Sequence, residues 1–410
     1  IILALTFGYT MIVAESALGR MTRKSPVGAF RSFAKGKKVG WLSFGGWINA
    51  IIPVLIVPYY SVIGGWVVKY LFEYIRGNGN KLAEDGYFSG FISNGGATEI
   101  CFVIFCMFTL VIIYAGVQNG IERVSKIMMP ILIILSVIIA IYSVTRPGAI
   151  EGVKYFLVPN VKNFSWMTVV AAMGQMFYSL SIAMGILVTF GSYMRKDTSI
   201  EDSTRNVEIF DTAIAMMAGL MIIPAVFAFS GGDPDTLQAG PSLMFITIPK
   251  VFANMGFGTA VGILFFVLVL FAAVTSSIAL TESAVSTFED ELGWGRKKAT
   301  ILAGVIMIAL GTLSCLGYGP LDFVKIIGMQ FLDFFDFLTN SVMMPIAALM
   351  TSLLVSRVIG VDKIEEEIRH GESAFRRKKI FVVMIKYLCP IFALIILASS
   401  VANAFGWIAM

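Results

Sequence analysis

Apolar runs of about 18–20 residues recur from one end of this chain to the other, separated by short polar loops. A run of that length crosses a bilayer as an α-helix, so the recurrence specifies an all-α polytopic membrane protein. The whole chain agrees. It is 57% hydrophobic and 14% charged, against roughly half and a quarter for a soluble domain. Ten spans are expected, at about 1–18, 40–74, 99–116, 127–144, 168–194, 207–230, 258–289, 299–316, 326–356 and 381–408. Loop charge orients them. Alternate loops at 20–38, 117–126, 195–206, 291–298 and 357–380 hold 22 of the 31 Lys and Arg residues, which places them on the cytosolic side. The net charge of +5 therefore follows the loops and is no nucleic-acid signal.

One span departs from the pattern. In Val169–Lys196, Ser179, Ser181, Ala183 and Gly185 alternate with Leu180, Ile182 and Met184. Small and hydroxyl residues hold a buried helix closed poorly, and glycine costs about 1 kcal/mol in a helix interior. A backbone opened at 179–185 would bare N–H and C=O groups at mid-membrane, which is tolerable only beside a cavity or a polar ligand. Small residues and serines also serve as helix-packing faces, so this segment alone leaves both readings open.

Other polar groups lie at membrane depth, where charge is expensive and usually functional. Glu15 precedes Arg20 in the first span, and an ion pair between them is expected. Asp211 either neutralises a cation or caps a helix end. Asp333 and Asp336 sit in the aromatic stretch FLDFFDFLTN, and Glu282, Glu289, Asp290 and Glu291 descend the cytosolic half of the span from 258. Thr275-Ser276-Ser277 interrupts an apolar run at mid-span. A single hydroxyl there bonds its own backbone, but three at one depth can offer the neutral oxygens a hard monovalent cation needs. Tyr59-Tyr60 adds a phenol able to donate to an anion. The stretch LMFITIPKVF within 231–257 reads either as a lid or as a helix resting on the outer surface. The four cysteines form no CxxC pair, and the single histidine, His370, lies in a charged loop.

These residues resemble the neurotransmitter:sodium symporter family, in particular its bacterial amino-acid members. The stretches that carry the resemblance are ESALGR (15–20), VPYYSVIGGW (57–66), GIERVSKIMMP (120–130), GQMFYSLSIAMGILVTFGSYMRKD (174–197), GFGTAVGILFFVLVLFAAVTSSIAL (256–280), TFEDEL (287–292) and LDFFDFLTN (332–340). They run in family order over essentially the whole chain. The resemblance implies a single transporter domain over 1–410 with inverted five-helix repeats: 1–144 is the remainder of the first repeat, 168–356 is the second, and 381–408 is an additional span. The chain starts at Ile1 inside an apolar run, and only four spans precede the broken one, which matches the family's sixth. The family's first span is therefore expected to precede Ile1.

The resemblance further implies sodium-coupled import of hydrophobic amino acids by alternating access, with no cofactor, sodium ions as co-transported ligands, and a multi-pass location in the plasma membrane, the inner membrane of a bacterium. Tyr60 would bind the substrate carboxylate. Ile56, Tyr178, Ser181, Met184, Ser276 and Leu280 would line the side-chain pocket. One sodium would take the Ala272 and Thr275 carbonyls and the Ser276 hydroxyl; the other would take Ser179 and Asp211. Asp336 would be an outer gate, and Asp290 with Tyr193 an inner one. Chloride-dependent members carry asparagine where Asp211 stands and serine where Ala215 stands, so chloride-independent transport is implied. Another substrate on the same fold is the nearest alternative, though Tyr60 and the serine-rich break favour a carboxylate-bearing ligand. An enzyme would need a nucleophile with a base, or a metal cluster, at depth. No histidine lies in a span and no HExxH or GxSxG motif occurs. A channel usually shows repeated pore motifs, and none is visible.

Overall fold

The computed structural model describes residues 1–407 apart from 35–39, 161, 163, 234–236, 238 and 239. Among these residues, eight helices are long and apolar enough to cross a membrane. They are α3 (Phe44–Ile75), α4 (Gly95–Tyr114), α5 (Val117–Val144), α8 (Ile200–Ser230), α10 (Gly258–Leu292), α11 (Arg296–Leu316), α12 (Phe331–Ile359) and α14 (Lys378–Ala404). The two remaining expected spans are α1 (Tyr9–Thr22), extended at its start by a π-turn over Ala4–Gly8, and a discontinuous helix, α6 (Trp166–Ser179) followed by α7 (Ile186–Tyr193). Shorter helices connect them: α2 (Pro26–Ala34), α9 (Leu243–Ala253) and α13 (Val361–Arg369).

Helix α1 is buried on every side from Tyr9 to Arg20. It lies against α7 with backbones touching: a Cβ on Gly19 would stand 2.0 Å from the Val188 carbonyl oxygen. The expected Glu15–Arg20 pair does not form. Five residues advance about 140° around a helix of 3.6 residues per turn, so the two side chains leave α1 in different directions. Glu15 accepts a hydrogen bond from the Ala183 N–H at 2.9 Å, and Arg20 donates from Nε to Glu367 at 2.7 Å.

The prolines at 53 and 58 are accommodated inside a continuous α3, the helix on which α10 packs. The stretch 243–253 packs inward through Phe245, Ile248, Val251 and Phe252 and does not merely rest on the outer surface. Phe245 is fully buried, stacks on Phe88 with ring centroids 5.2 Å apart, and accepts the Tyr70 hydroxyl on its carbonyl at 2.8 Å. At the rim, Lys250 donates to Asp85 at 2.5 Å, and that hydrogen bond holds the Asp85 carboxyl below its ordinary value.

Candidate functional site: the broken helix and its cavity

Between α6 and α7 the chain turns through Leu180–Gly185 with three residues in left-handed backbone: Ser181 at φ 55°, Ala183 at φ 58° and Gly185 at φ 71°. Such geometry costs an L-residue roughly 1–2 kcal/mol, so two non-glycine residues held there need compensation. Glu15 supplies some of it by taking the Ala183 N–H, which the break leaves without a helical partner. The other oxygen of Glu15, Oε2, is buried and has no hydrogen-bond partner among the described residues. At Gly185 a side chain is excluded by space as well as by φ. A Cβ would lie 2.7 Å from the Asn49 carbonyl oxygen and 2.8 Å from Pro26.

The break borders a cavity of about 450 Å³. Of the residues expected to bind, Tyr60, Tyr178, Ser179, Ser181, Met184, Thr275, Ser276 and Leu280 line it. Ile56, one turn before Tyr60 on α3, is fully buried and not on the cavity wall. Ala272 also lies off the wall, and its carbonyl accepts the Thr275 hydroxyl at 3.0 Å. Asp211, on α8, accepts the Ser179 hydroxyl at 2.6 Å. Four lining residues are not marked by the sequence pattern: Ser125, Met129, Ile186 and Ala279. Helical spacing from Thr275 and Ser276 is a usable signal for Ala279. Ser125 and Met129 share a face of α5 by the same rule, but nothing in GIERVSKIMMP marks that face.

The three members of the hydroxyl run have different surroundings. Thr275 donates back to the Phe271 and Ala272 carbonyls, each at 3.0 Å. Ser276 is exposed to the cavity. Ser277 is fully buried and accepts from Thr109 of α4 at 3.1 Å.

The expected gate residues lie apart from this cavity. Asp336 accepts the Tyr59 hydroxyl at 3.1 Å and the Asn340 amide at 2.5 Å. On the cytosolic side, Tyr193 donates to Glu282 at 2.7 Å, and Arg296 grips the same carboxylate through two nitrogens at 3.0 and 2.5 Å. Asp290 instead accepts the Ser25 N–H at 2.5 Å. Tyr193 therefore bonds the carboxylate two turns earlier on α10, and no hydrogen bond joins it to Asp290 among the described residues.

The model of the sodium:neurotransmitter symporter family matches residues 87–406. The chain belongs to that family. It is 34% identical over 377 residues to the sodium-dependent transporter YhdH of Bacillus subtilis, covering 91% of this chain and 82% of that one. A sodium-dependent transporter of Haemophilus influenzae is 30% identical over 408 residues, covering 97% of this chain and 88% of its own. Among solved structures, MhsT in complex with L-phenylalanine superposes with a TM-score of 0.84 at 34% identity, covering 97% of this chain and 89% of that one. This symporter is thus an all-α, multi-pass membrane transporter and not an enzyme, and sodium is its co-transported ligand.

Proposed function

We propose that this symporter imports hydrophobic amino acids with sodium, by alternating access, across a bacterial inner membrane. The observation that carries the reading is the mixed lining of the cavity, phenol and hydroxyl groups beside apolar side chains. Tyr60 supplies a phenolic donor for a carboxylate. Opposite chemistry comes from Met184, Leu280, Ile186, Ala279 and the Tyr178 ring. The cavity, of about 450 Å³, exposes a mostly apolar wall with hydroxyls set into it, which suits a small ligand with an apolar side chain and a polar head. The L-phenylalanine bound to MhsT is such a ligand.

Two sodium sites fit the oxygens at the cavity. One takes the Ser179 hydroxyl and the Asp211 carboxylate, already joined at 2.6 Å. The other takes the Ala272 and Thr275 carbonyls and the Ser276 hydroxyl. The Thr275 carbonyl accepts one helical hydrogen bond and keeps a second lone pair for a cation; the Ala272 carbonyl, which also takes the Thr275 hydroxyl, gains one when that hydroxyl turns wholly to Phe271, its other acceptor at 3.0 Å. Ile56 supports the pocket from behind Tyr60. Asp336 with Tyr59 closes the outer end; Tyr193 with Glu282, and Asp290 with α2, close the inner. The two halves α6 and α7 can then tilt separately about 180–185 as the gates alternate, with 1–144 and 168–356 as the inverted repeats.

The test is uptake of radiolabelled leucine, phenylalanine and tryptophan into proteoliposomes holding the full-length protein, with an inward sodium gradient and with sodium replaced by choline. Uptake that needs sodium and favours these substrates over glycine is expected. Equal uptake in choline overturns the coupling; accumulation of none of the three overturns the substrate class.

A further inference from the structure

Helices α1 and α7 touch at two glycines. Gly19 faces the Val188 carbonyl, and a Cβ on Gly191 would stand 2.5 Å from the Ser16 carbonyl oxygen. Backbones this close leave no room to slide, because packed interiors behave as solids. Contact of this kind favours a shift of the two helices together, as one α1–α7 body. Its cytosolic end meets α13, which belongs to neither helix. Arg20, fully buried, donates from Nε to Glu367 Oε1 at 2.7 Å and from one terminal nitrogen to the Thr198 carbonyl at 2.5 Å. Its other terminal nitrogen bonds the Glu367 carbonyl. Lys196, just beyond α7, donates to both carboxylate oxygens of Glu367, at 3.1 and 2.8 Å. His370 stands 3.9 Å from the same group. One carboxylate, itself 5% exposed, thus receives one cation from α1 and one from the turn that follows α7.

We propose that Glu367 is a positioning residue. It latches the α1–α7 body to α13 and so sets how readily the cytosolic half of the broken helix swings about 180–185. The proposal rests on the sodium-symport reading above. Neither Arg20 nor Lys196 can follow a swing of α7 away from α13 without giving up this carboxylate. Releasing Arg20 leaves a buried cation uncompensated, which is strongly unfavourable, so the closed position is the one the latch favours.

The swing can be read at Ser283. That residue is fully buried on α10, and its hydroxyl lies 3.3 Å from that of Thr189 on α7. Replacing it with cysteine, in a full-length background with Cys101, Cys106, Cys315 and Cys389 substituted, gives a probe that reacts with a thiol reagent only when α7 moves off. The expected result is faster labelling in Lys196→Gln, by about threefold, as suits a half-exposed pair. Glu367→Gln should label faster still, by roughly tenfold or more, and Glu367→Asp should stay near the starting rate. Substrate KM in Lys196→Gln should hold while kcat changes, because the latch touches no ligand. Should Glu367→Gln fail to fold, Lys196→Gln carries the test. Labelling in Lys196→Gln equal to the parent, with kcat unchanged, overturns the latch. A parent protein whose labelling ignores sodium overturns the symport reading instead.

Discussion

Helix α10 runs 35 residues from Gly258 to Leu292 without a break, while the helix facing it across the cavity stops at Ser179 and restarts at Ile186. Both present hydroxyls to the same space. In α10 the backbone is satisfied by its own ladder, and Thr275 even returns its hydroxyl to that ladder, so only Ser276 and spare carbonyl lone pairs are left to a ligand. In the broken helix the backbone itself is opened, at a conformational cost that α10 never incurs. One wall is a rigid ruler with few free groups. The other is an opened backbone whose polar groups are held by something else: Glu15 at Ala183, Asp211 at Ser179.

The largest effect expected from breaking this contrast lies at Gly185. Gly185→Val adds a β-branched side chain where φ is 71° and where the Asn49 carbonyl oxygen would stand 2.7 Å from the new Cβ. Overpacking alone costs about 1–3 kcal/mol, and the backbone adds roughly 1–2 more. Loss of sodium-dependent uptake is expected, with a clear drop in melting temperature of the purified protein. The matched change in the intact wall, Ile278→Val, removes one methylene from a buried side chain. It should cost about 0.5–1.5 kcal/mol and leave uptake measurable. Equal damage at both positions would mean that the break carries no special constraint.

Next in size is Asp211→Asn. Even at about 4 Å, farther than a ligand sits, a carboxylate is worth on the order of 4 kcal/mol to a sodium ion at an effective dielectric of 20, so at least a tenfold loss of sodium affinity is expected in chloride-free buffer. The unmodified symporter should transport equally in chloride and in gluconate, since Asp211 supplies the fixed negative charge and Ala215 offers chloride no donor. Transport that stops in gluconate would remove this role from Asp211. A serine at Ala215 in the Asp211→Asn variant should bring back part of the activity when chloride is present.

The contrast also explains what can be read in the sequence. The break is legible because its signal is local: Ser, Ser, Ala and Gly at alternate positions in one apolar run. The spans and the hydroxyl run are legible for the same reason. Partner choice is not. Glu15 and Ala183 are 168 residues apart, and Arg20 and Glu367 are 347 apart. Which carboxylate meets which donor depends on how helices pack and rotate, and no periodicity along the chain records that. Tyr193 bonds Glu282 two turns from Asp290 for this reason: both acids lie on α10, and only the placement of α7 selects between them.

A smaller, selective effect is expected at Met184, in the broken wall. Methionine is unbranched and adapts to ligands of different shape. Met184→Phe stiffens and fills its end of the cavity, so competition against labelled leucine should weaken several-fold for tryptophan and little for glycine or alanine. A uniform loss across sizes would place Met184 outside the side-chain pocket.

The smallest effects test the ruler itself, within a single pair of neighbours. Ser276 and Ser277 have the same side chain, in the same helix, at nearly the same depth, but successive residues point about 100° apart. Ser276 faces the cavity, and Ser277 accepts the Thr109 hydroxyl in a fully buried contact with α4. Ser276→Ala removes the one side-chain oxygen among the three that α10 would offer a hard cation and should raise the half-saturating sodium concentration several-fold with the melting temperature unchanged. Ser277→Ala should do the reverse. Thr109 also lies 3.4 Å from the Phe105 carbonyl, so it keeps an alternative acceptor. The loss should therefore stay near the ~1 kcal/mol of one hydrogen bond and appear as a lower melting temperature at unchanged sodium dependence. Titrating sodium and melting both variants separates the two roles. Identical behaviour of the pair would mean that α10 offers sodium no side-chain oxygen, and that the second ion is held by backbone carbonyls alone.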